Sequence, residues 1–320
     1  MLYNIKKALY IGPRGGKWAD PAHTIPYQEE KAKGKKKKLV NFSLDIKGSE
    51  FIPLENFKSD SRHKIVDKNS LIEKLFKFKI KDMLTNRKKI VSSLLKDKSF
   101  CDYATSFYTK HSVENALDRI ISAAQVTWQD TSADSSTDAI MLQLAAREEF
   151  NLNTSSIDHF SKDILKRINN NPNKDKIIDN YRKLLRAQYK VTQKILKDSN
   201  IDYLIGIRGY IHKNEFKNDK TLRTIDIKNQ PLSSWSVSVS TAVYFADNLY
   251  RPTTNDGAVF IAKIPKERIL GLSCIGLGTS EEYEFITLGS EDKVQVYSWS
   301  REIDGSLTDL KIFNDIKRQL

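Results

Sequence analysis

The chain has 320 residues, of which 39% are hydrophobic and 29% are charged. This length allows one large domain or two ordinary ones, and no stretch approaches the roughly 20 apolar residues of a membrane span. The N-terminus lacks the apolar core and cleavage site of a secretory signal. The two cysteines, Cys101 and Cys274, are far apart and do not indicate a disulfide scaffold. A cytoplasmic, reducing environment is the expectation.

The basic excess is concentrated near the N-terminal end. The chain has a net charge of +13, and its first forty residues carry ten basic and three acidic side chains. The run AKGKKKK within them is typical of a solvated linker. A basic segment of this kind also attracts nucleic acid or another polyanion, so both interpretations stay open.

The same end contains the segment YIGPRGGKWADPAHTIPYQEE, in which turn signals precede the apolar residues Trp18, Ile25 and Tyr27. The pattern predicts a small module, and the GPRGGKWADP part resembles leaders of bacteriophage and prophage proteins. A glycine-rich turn without a recognition role explains the segment equally well. We therefore assign residues 1–40 to a basic N-terminal module and linker.

Residues 41–199 are predicted to be mainly helical. Apolar residues recur three and four apart in segments 71–84, 113–126, 136–152, 158–168 and 174–197. A start signal at Ser135, Ser136 and Thr137 precedes the third of these helices. Isolated histidines (His63, His111, His159) lack cysteine or carboxylate partners at the spacing of a metal site, so no metal is expected.

The period changes from helix to strand after the turn cluster at Asp198–Asn200. The predicted strands are Tyr203–Ile211, Ser234–Val239, Val259–Ile264, Tyr283–Thr287 and Val294–Trp299, with one short helix at Ser240–Asn248. The fold class is α+β: a helical N-terminal region followed by a mixed β-sheet core at 200–320. The change at residue 200 marks either a domain boundary or one α+β domain that recruits the preceding helices.

Arg208 interrupts the apolar strand IDYLIGIRGYIH. A guanidinium there is costly unless it faces a cleft or an anion, and its fork suits the oxygens of a phosphate. Gly209 beside it lets a ligand approach the backbone closely. Taken alone, an arginine on a strand usually marks a sheet edge.

The segment PLSSWSVSVSTAVYFA carries Ser234 and Ser236 on either side of Trp235. A serine at a strand start can hydrogen-bond and orient a neighbouring carboxylate. No GxSxG elbow accompanies these serines, and His212 lies in no recognisable nucleophile motif. The repeated serines leave the register open, because Ser236 or Ser238 could take the role that we assign to Ser234.

Glu282 and Glu284 flank Tyr283 in GLGTSEEYEFITLG. If this segment is extended, both carboxylates point to the same side. Like charges so close are unfavourable unless one binds a cation or a hydroxyl, or faces a positively charged acceptor. A solvated acidic turn is the alternative for this pair taken alone.

In the order Arg, Ser-x-Ser, Glu-x-Glu, these segments resemble the mono-ADP-ribosyltransferases of the R-S-E class, which include bacterial toxins, phage-encoded enzymes and vertebrate ecto-enzymes. The resemblance covers about residues 200–300 and departs from the family at Trp235, where threonine is common. It implies an ADP-ribosyltransferase catalytic core that uses NAD as a substrate and needs no metal.

The resemblance also implies residue roles. Arg208 would hold the pyrophosphate or adenine-side ribose of NAD, and the Gly209 backbone would contact the nicotinamide amide. Ser234 would orient Glu284, which would bond the 2′-hydroxyl of the nicotinamide ribose as nicotinamide leaves. Glu282 would bind and deprotonate the acceptor. Further NAD contacts are assigned to Ser236, Arg251 and Tyr250, the last two in the loop ADNLYRPTTNDG.

The acceptor is expected to be arginine on a host protein, because a glutamate at position 282 resembles the arginine-modifying branch. A nucleic-acid base is the alternative acceptor, favoured by the net charge of +13, and water would make the protein an NAD glycohydrolase. A catalytically dead transferase fold in a phage structural or nucleic-acid-binding protein is the alternative from another class. The phage-like leader suggests an enzyme carried by a phage, a prophage or a related element, and its expected location is the cytoplasm of the host cell.

Overall fold

The structure is a computed structural model, and it describes residues 50–51, 80–129, 136–152, 162–212, 223–247, 256–273, 275–279 and 282–299. The basic module of residues 1–40, His63, His159, Tyr250 and Arg251 lie outside these ranges, as does most of the predicted helix 71–84. Within them, no helix combines the length and the apolar character needed to cross a membrane.

Six helices precede the sheet in the described residues. They are α1 (Ile80–Leu94), α2 (Lys98–Phe107), α3 (Val113–Gln129), α4 (Thr137–Glu149), α5 (Lys162–Asn169) and α6 (Lys174–Asp198). The predicted start of α4 is confirmed, because the Ser136 side chain caps it by accepting a hydrogen bond from the Ala139 N–H at 3.2 Å. The sequence prediction missed α2, which begins after an Asp97 cap and buries one short stripe of side chains.

Helix α6 connects the helical region to the sheet. Most of its predicted apolar face is buried, although Val191 and Ile195 are only partly so. On the sheet side, the Tyr189 hydroxyl donates to the Glu267 carbonyl oxygen at 3.1 Å, and the Gln193 amide donates to the Ile269 carbonyl oxygen at 2.9 Å. One continuous hydrophobic core contains residues of the helices and of the strands.

Seven strands form one sheet in the described part of the chain. They are β1 (Tyr203–His212), β2 (Arg223–Lys228), β3 (Leu232–Ser236), β4 (Asp256–Pro265), β5 (Ile269–Leu272), β6 (Glu284–Leu288) and β7 (Glu291–Trp299), and α7 (Val239–Asp247) follows β3. Their order is β2-β7-β4-β1-β3-β6-β5, and the neighbouring strands pair antiparallel. The α+β class is confirmed, but the expected mixed sheet is wrong, because the described sheet is antiparallel.

Among the described residues, the pairing between β1 and β3 is the shortest in the sheet. Strand β1 pairs with β4 along its whole length, from Tyr203 to His212, whereas its register with β3 in the described residues consists of Ile207 opposite Ser236. No further pair joins the two strands in the described residues, and α7 packs on the Ile207 side of β1. The three segments that carry the sequence motifs meet at this point, because β3 also pairs with β6 and sets Ser236 opposite Glu284.

Candidate active site

Glu284 opens strand β6, and only 3% of its surface is exposed. Its Oε1 accepts a hydrogen bond from the Trp128 indole N–H at 3.0 Å, and its Oε2 accepts one from the Thr279 backbone N–H at 2.5 Å. Hydrogen bonding by the Ser234 and Thr279 side chains also acts to lower the pKa of this carboxyl. A carboxylate has about four acceptor positions, and the two N–H donors occupy one on each oxygen.

Burial and hydrogen bonding act in opposite directions on Glu284. Burial raises the pKa of this carboxyl above its ordinary value of 4.5, and the hydrogen bonds from Ser234, Thr279 and Trp128 oppose that rise. The donors come from β3, from the segment before β6 and from α3, so the carboxylate is held from three directions. Such a fixed and water-poor anion can stabilise positive charge that develops beside it.

The three candidate serines have separate partners. Hydrogen bonding by the Ser234 side chain lowers the pKa of Glu284. The Ser236 hydroxyl donates to the Glu282 carbonyl oxygen at 2.7 Å and accepts from the Ser238 N–H at 2.9 Å. The Ser238 hydroxyl accepts from the Thr241 N–H at the start of α7. Ser236, predicted to contact NAD, is therefore buried and engaged with backbone groups.

Glu282 and Glu284 do not lie on one extended strand. Tyr283 between them has a φ of 50°, and β6 begins only at Glu284, so the expected arrangement of both carboxylates on one side of a strand is wrong. Few residues other than glycine adopt such a φ. The turn leaves Glu282 half-buried and Tyr283 37% exposed at the surface beside the buried Glu284.

Arg208 lies on β1 one residue beyond the pair that joins β1 to β3. Arg208 is half-buried. Burial lowers the pKa of the guanidinium, while Tyr210 and Glu284 act through space to raise it. The net lowering means that the surrounding protein compensates only in part for the lost hydration, and a bound anion would supply the rest. The group remains cationic, because arginine does not lose its proton in proteins.

Gly209 has a structural reason for being glycine that the sequence did not reveal. A Cβ atom at this position would lie 2.0 Å from the Ala242 carbonyl oxygen and 2.6 Å from the Ala246 nitrogen of α7. Helix α7 thus fills the space beside Gly209 that we expected a ligand to use. Strand alternation puts Arg208 on the opposite face of β1.

Helix α3 contributes two contacts that sequence reasoning missed. Trp128 bonds Glu284, and one helical turn earlier the Gln125 amide donates to the Gly278 carbonyl oxygen at 3.0 Å. Trp128 and Glu284 are 156 residues apart, and α3 has no spacing that marks a catalytic helix. An amphipathic helix with a tryptophan on its buried side predicts only core packing.

Among the described residues, no group of three or more histidine, cysteine, aspartate or glutamate side chains could hold a metal ion. Within the described ranges, candidate partners for an anionic ligand include Arg208 and the backbone of β1 past Ile207, where no pair with β3 is found. Comparisons with protein-family models, curated proteins and solved structures found no match for this chain.

Proposed function

We propose that the protein is an NAD-dependent mono-ADP-ribosyltransferase that moves ADP-ribose from NAD to arginine on a target protein and releases nicotinamide. One observation carries the proposal. Ser236 of β3 pairs with Ile207 of β1 on one side and with the buried Glu284 of β6 on the other, so the strands that carry Arg208, Ser234 and Glu284 are neighbours in the sheet.

Arg208 is the proposed anchor for the NAD pyrophosphate. Its guanidinium is desolvated enough for its pKa to fall, which makes a phosphate a favourable partner. The edge of β1 past Ile207 supplies backbone groups that can bond an amide such as that of nicotinamide. Binding through the backbone is compatible with Gly209 being packed against α7 on its side-chain side.

Glu284 is the proposed catalytic carboxylate. When the bond between the ribose C1′ and the nicotinamide nitrogen breaks, its electron pair goes to nicotinamide and the sugar becomes an oxocarbenium-like cation. A carboxylate that bonds the 2′-hydroxyl stabilises this cation, as carboxylates do in glycoside cleavage. The acceptor nitrogen then bonds C1′, and its proton passes to Glu282.

Substrate binding requires a rearrangement at Thr279. Its backbone N–H donates to the Glu284 Oε2 and its side chain also acts on this carboxyl, so Thr279 competes with a ribose hydroxyl for the same oxygen. Ser234 and Trp128 lie on a strand and a helix, whereas Thr279 lies on the irregular segment before β6. Thr279 is therefore the donor that we expect the 2′-hydroxyl to replace.

Glu282 is the proposed acceptor-binding residue. It lies in the turn before β6, next to the exposed Tyr283, where a protein side chain can reach it from solvent. A glutamate suits a guanidinium, because the pair can form two parallel charge-assisted hydrogen bonds. The basic residues 1–40, which favour a nucleic-acid acceptor, lie outside the described residues.

The proposal is tested with NAD that carries a label on its adenylate part. The full-length protein is incubated with labelled NAD and a cell extract, and the products are digested with protease or with nuclease. Glu284→Gln removes the catalytic charge, and Glu291→Gln is the matched control, because Glu291 is an exposed glutamate that forms an ion pair with Lys228 at the surface.

We expect protease-sensitive label with the wild type and with Glu291→Gln, and a loss of about 10²–10⁴ in rate with Glu284→Gln. Label that nuclease removes would identify a nucleic-acid base as the acceptor instead. Nicotinamide release without any label transfer would indicate an NAD glycohydrolase. If the wild type neither transfers label nor releases nicotinamide, the proposed function is wrong.

A further inference from the structure

We propose that Trp128 is a positioning residue that fixes the Glu284 carboxylate for the reaction. The expected kinetic effect rests on the proposed function, whereas the contact between the two residues can be measured without it. The inference gives the helical region before the sheet a role in the active site, since Trp128 belongs to α3.

The geometry is that of a specific hydrogen bond. The Trp128 Nε1 lies 3.0 Å from the Glu284 Oε1, and 4% of the Trp128 surface is exposed. Ser234 and Thr279 approach the carboxylate from β3 and from the segment before β6. Only the indole comes from the helical region, so among these donors it alone ties Glu284 to α3.

The chemistry of indole suits this role. Its N–H donates and cannot accept, and it does not titrate in the physiological range. A hydroxyl such as that of Ser234 can rotate to another partner, whereas a buried indole keeps one direction. Trp128 therefore holds Oε1 in place while Oε2 exchanges Thr279 for a substrate hydroxyl. Small displacements of a catalytic group reduce rates strongly, which makes such fixation important.

A second contact strengthens the same connection. Gln125 lies three residues before Trp128 on α3, and its amide donates to the Gly278 carbonyl oxygen at 3.0 Å. Gly278 directly precedes Thr279, the residue whose backbone N–H bonds the Glu284 Oε2. One face of α3 thus holds both the carboxylate and the segment that covers it.

Trp128→Phe removes the donor and keeps an aromatic ring in the core. Trp235→Phe is the matched control, since Trp235 is 1% exposed and its indole nitrogen has no hydrogen-bond partner among the described residues. We expect Trp128→Phe to lower kcat for nicotinamide release roughly 10- to 100-fold, the factor that corresponds to one hydrogen bond to a charged group. The KM for NAD should change less than twofold, and Trp235→Phe should keep the wild-type kcat.

A double variant that combines Trp128→Phe with Glu284→Gln distinguishes a positioning role of Trp128 from a general loss of stability. A residue that acts through Glu284 has nothing left to position once the charge is gone, so the double variant should be about as slow as Glu284→Gln. The inference is overturned if Trp128→Phe keeps the wild-type kcat. It is also overturned if Trp128→Phe lowers the kcat of Glu284→Gln by the same factor by which it lowers the kcat of the wild type.

A spectroscopic measurement tests the contact even if the protein proves inactive on NAD. The chain has four tryptophans, so a proton–nitrogen correlation spectrum contains four indole signals, and Trp128→Phe identifies one of them. Glu284→Gln should shift that signal strongly and leave the Trp235 signal in place. If the Trp128 signal does not respond to Glu284→Gln, the positioning role is refuted independently of the proposed function.

Discussion

Gly209 of β1 and Ala242 of α7 are so close that a Cβ atom on Gly209 would lie 2.0 Å from the Ala242 carbonyl oxygen. The atom in the way belongs to a helix backbone and cannot rotate aside. Helix α7 also covers Ile207 and Val259, so its displacement would open the hydrophobic cluster that these residues form with the helix. The glycine is thus required by the packing of α7, whatever ligand its backbone binds.

We expect Gly209→Ala to lower the free energy of unfolding by about 3 kcal/mol or more, because overpacking of this kind shifts the backbone. Urea unfolding followed by circular dichroism measures the effect. Activity and stability should fall together in this variant. Wild-type stability in Gly209→Ala with a raised KM for NAD would contradict the packing explanation and favour a direct ligand contact.

Arg208→Gln should weaken NAD binding and leave the stability of the protein nearly unchanged. The pKa of Arg208 is lowered because desolvation outweighs the favourable effects of Tyr210 and Glu284. Removing the cation therefore costs the empty protein little, and we expect its melting temperature to stay within about 2 °C of the wild type. The KM for NAD should rise roughly 10- to 100-fold with the loss of a charge-assisted contact. Equal losses of stability and NAD binding would show that Arg208 is structural.

Sequence periodicity and apolar runs predicted the longer elements of the fold. Helix α6 and strands β1, β4 and β7 appear within a few residues of their expected bounds. The missed strands β2 and β5 are the two edges of the sheet. In β2 the residues alternate only between half-buried and exposed, so its pattern is weak, and β5 has four residues, too few for a period to emerge.

The candidate site was predictable only in part, for local and for long-range reasons. Arg208, Ser234 and Glu284 can be identified in this order from the sequence, because each interrupts an apolar strand. The turn at Tyr283 was not predictable, since a tyrosine seldom adopts a positive φ and nothing in EEYEF indicates one. The contact from Trp128 depends on how α3 packs against the sheet, which periodicity does not encode.

The pH dependence of activity should reflect the buried Glu284. Burial raises the pKa of this group above 4.5, and the proposed reaction needs its ionised form. Activity should therefore fall as the pH decreases through an apparent pKa above 4.5. Measurements of kcat for nicotinamide release between pH 5 and 8 test this. Ser234→Ala removes a donor that lowers the pKa, so its profile should move to higher pH; a shift to lower pH would contradict the assignment.

The stability of the protein should also depend on pH, through the carboxyl group of Asp138. Burial raises its pKa from 3.8 to about 6 in the folded protein. The folded state thus binds a proton at Asp138 more tightly than the unfolded state does. The resulting stabilisation of the folded state is present below about pH 3.8 and is lost as the pH rises through about 6. Asp138→Asn avoids the cost of the buried charge.

At pH 8 we expect Asp138→Asn to be more stable than the wild type by about 1 kcal/mol, and the difference should shrink at pH 5. The gain stays below the full pKa shift because Asp138 is only half-buried and lies in the first turn of α4, where the helix dipole favours an anion. Urea unfolding at both pH values measures it. Asp163→Asn is the control, since Asp163 is an exposed aspartate in the first turn of α5. A larger gain at pH 5 than at pH 8 would contradict the assignment.

Thr279→Ala tests the competition between the protein and its substrate for Glu284. Hydrogen bonding by the Thr279 side chain acts on the carboxylate that the ribose hydroxyl must reach, and its removal takes away one competitor. We expect the KM for NAD to fall roughly two- to tenfold, the range for one hydrogen bond, with kcat within about twofold of the wild type. Thr105→Ala is the control, because the Thr105 hydroxyl bonds the Cys101 carbonyl oxygen within α2. If Thr279→Ala instead raises the KM, Thr279 binds the substrate and does not compete with it.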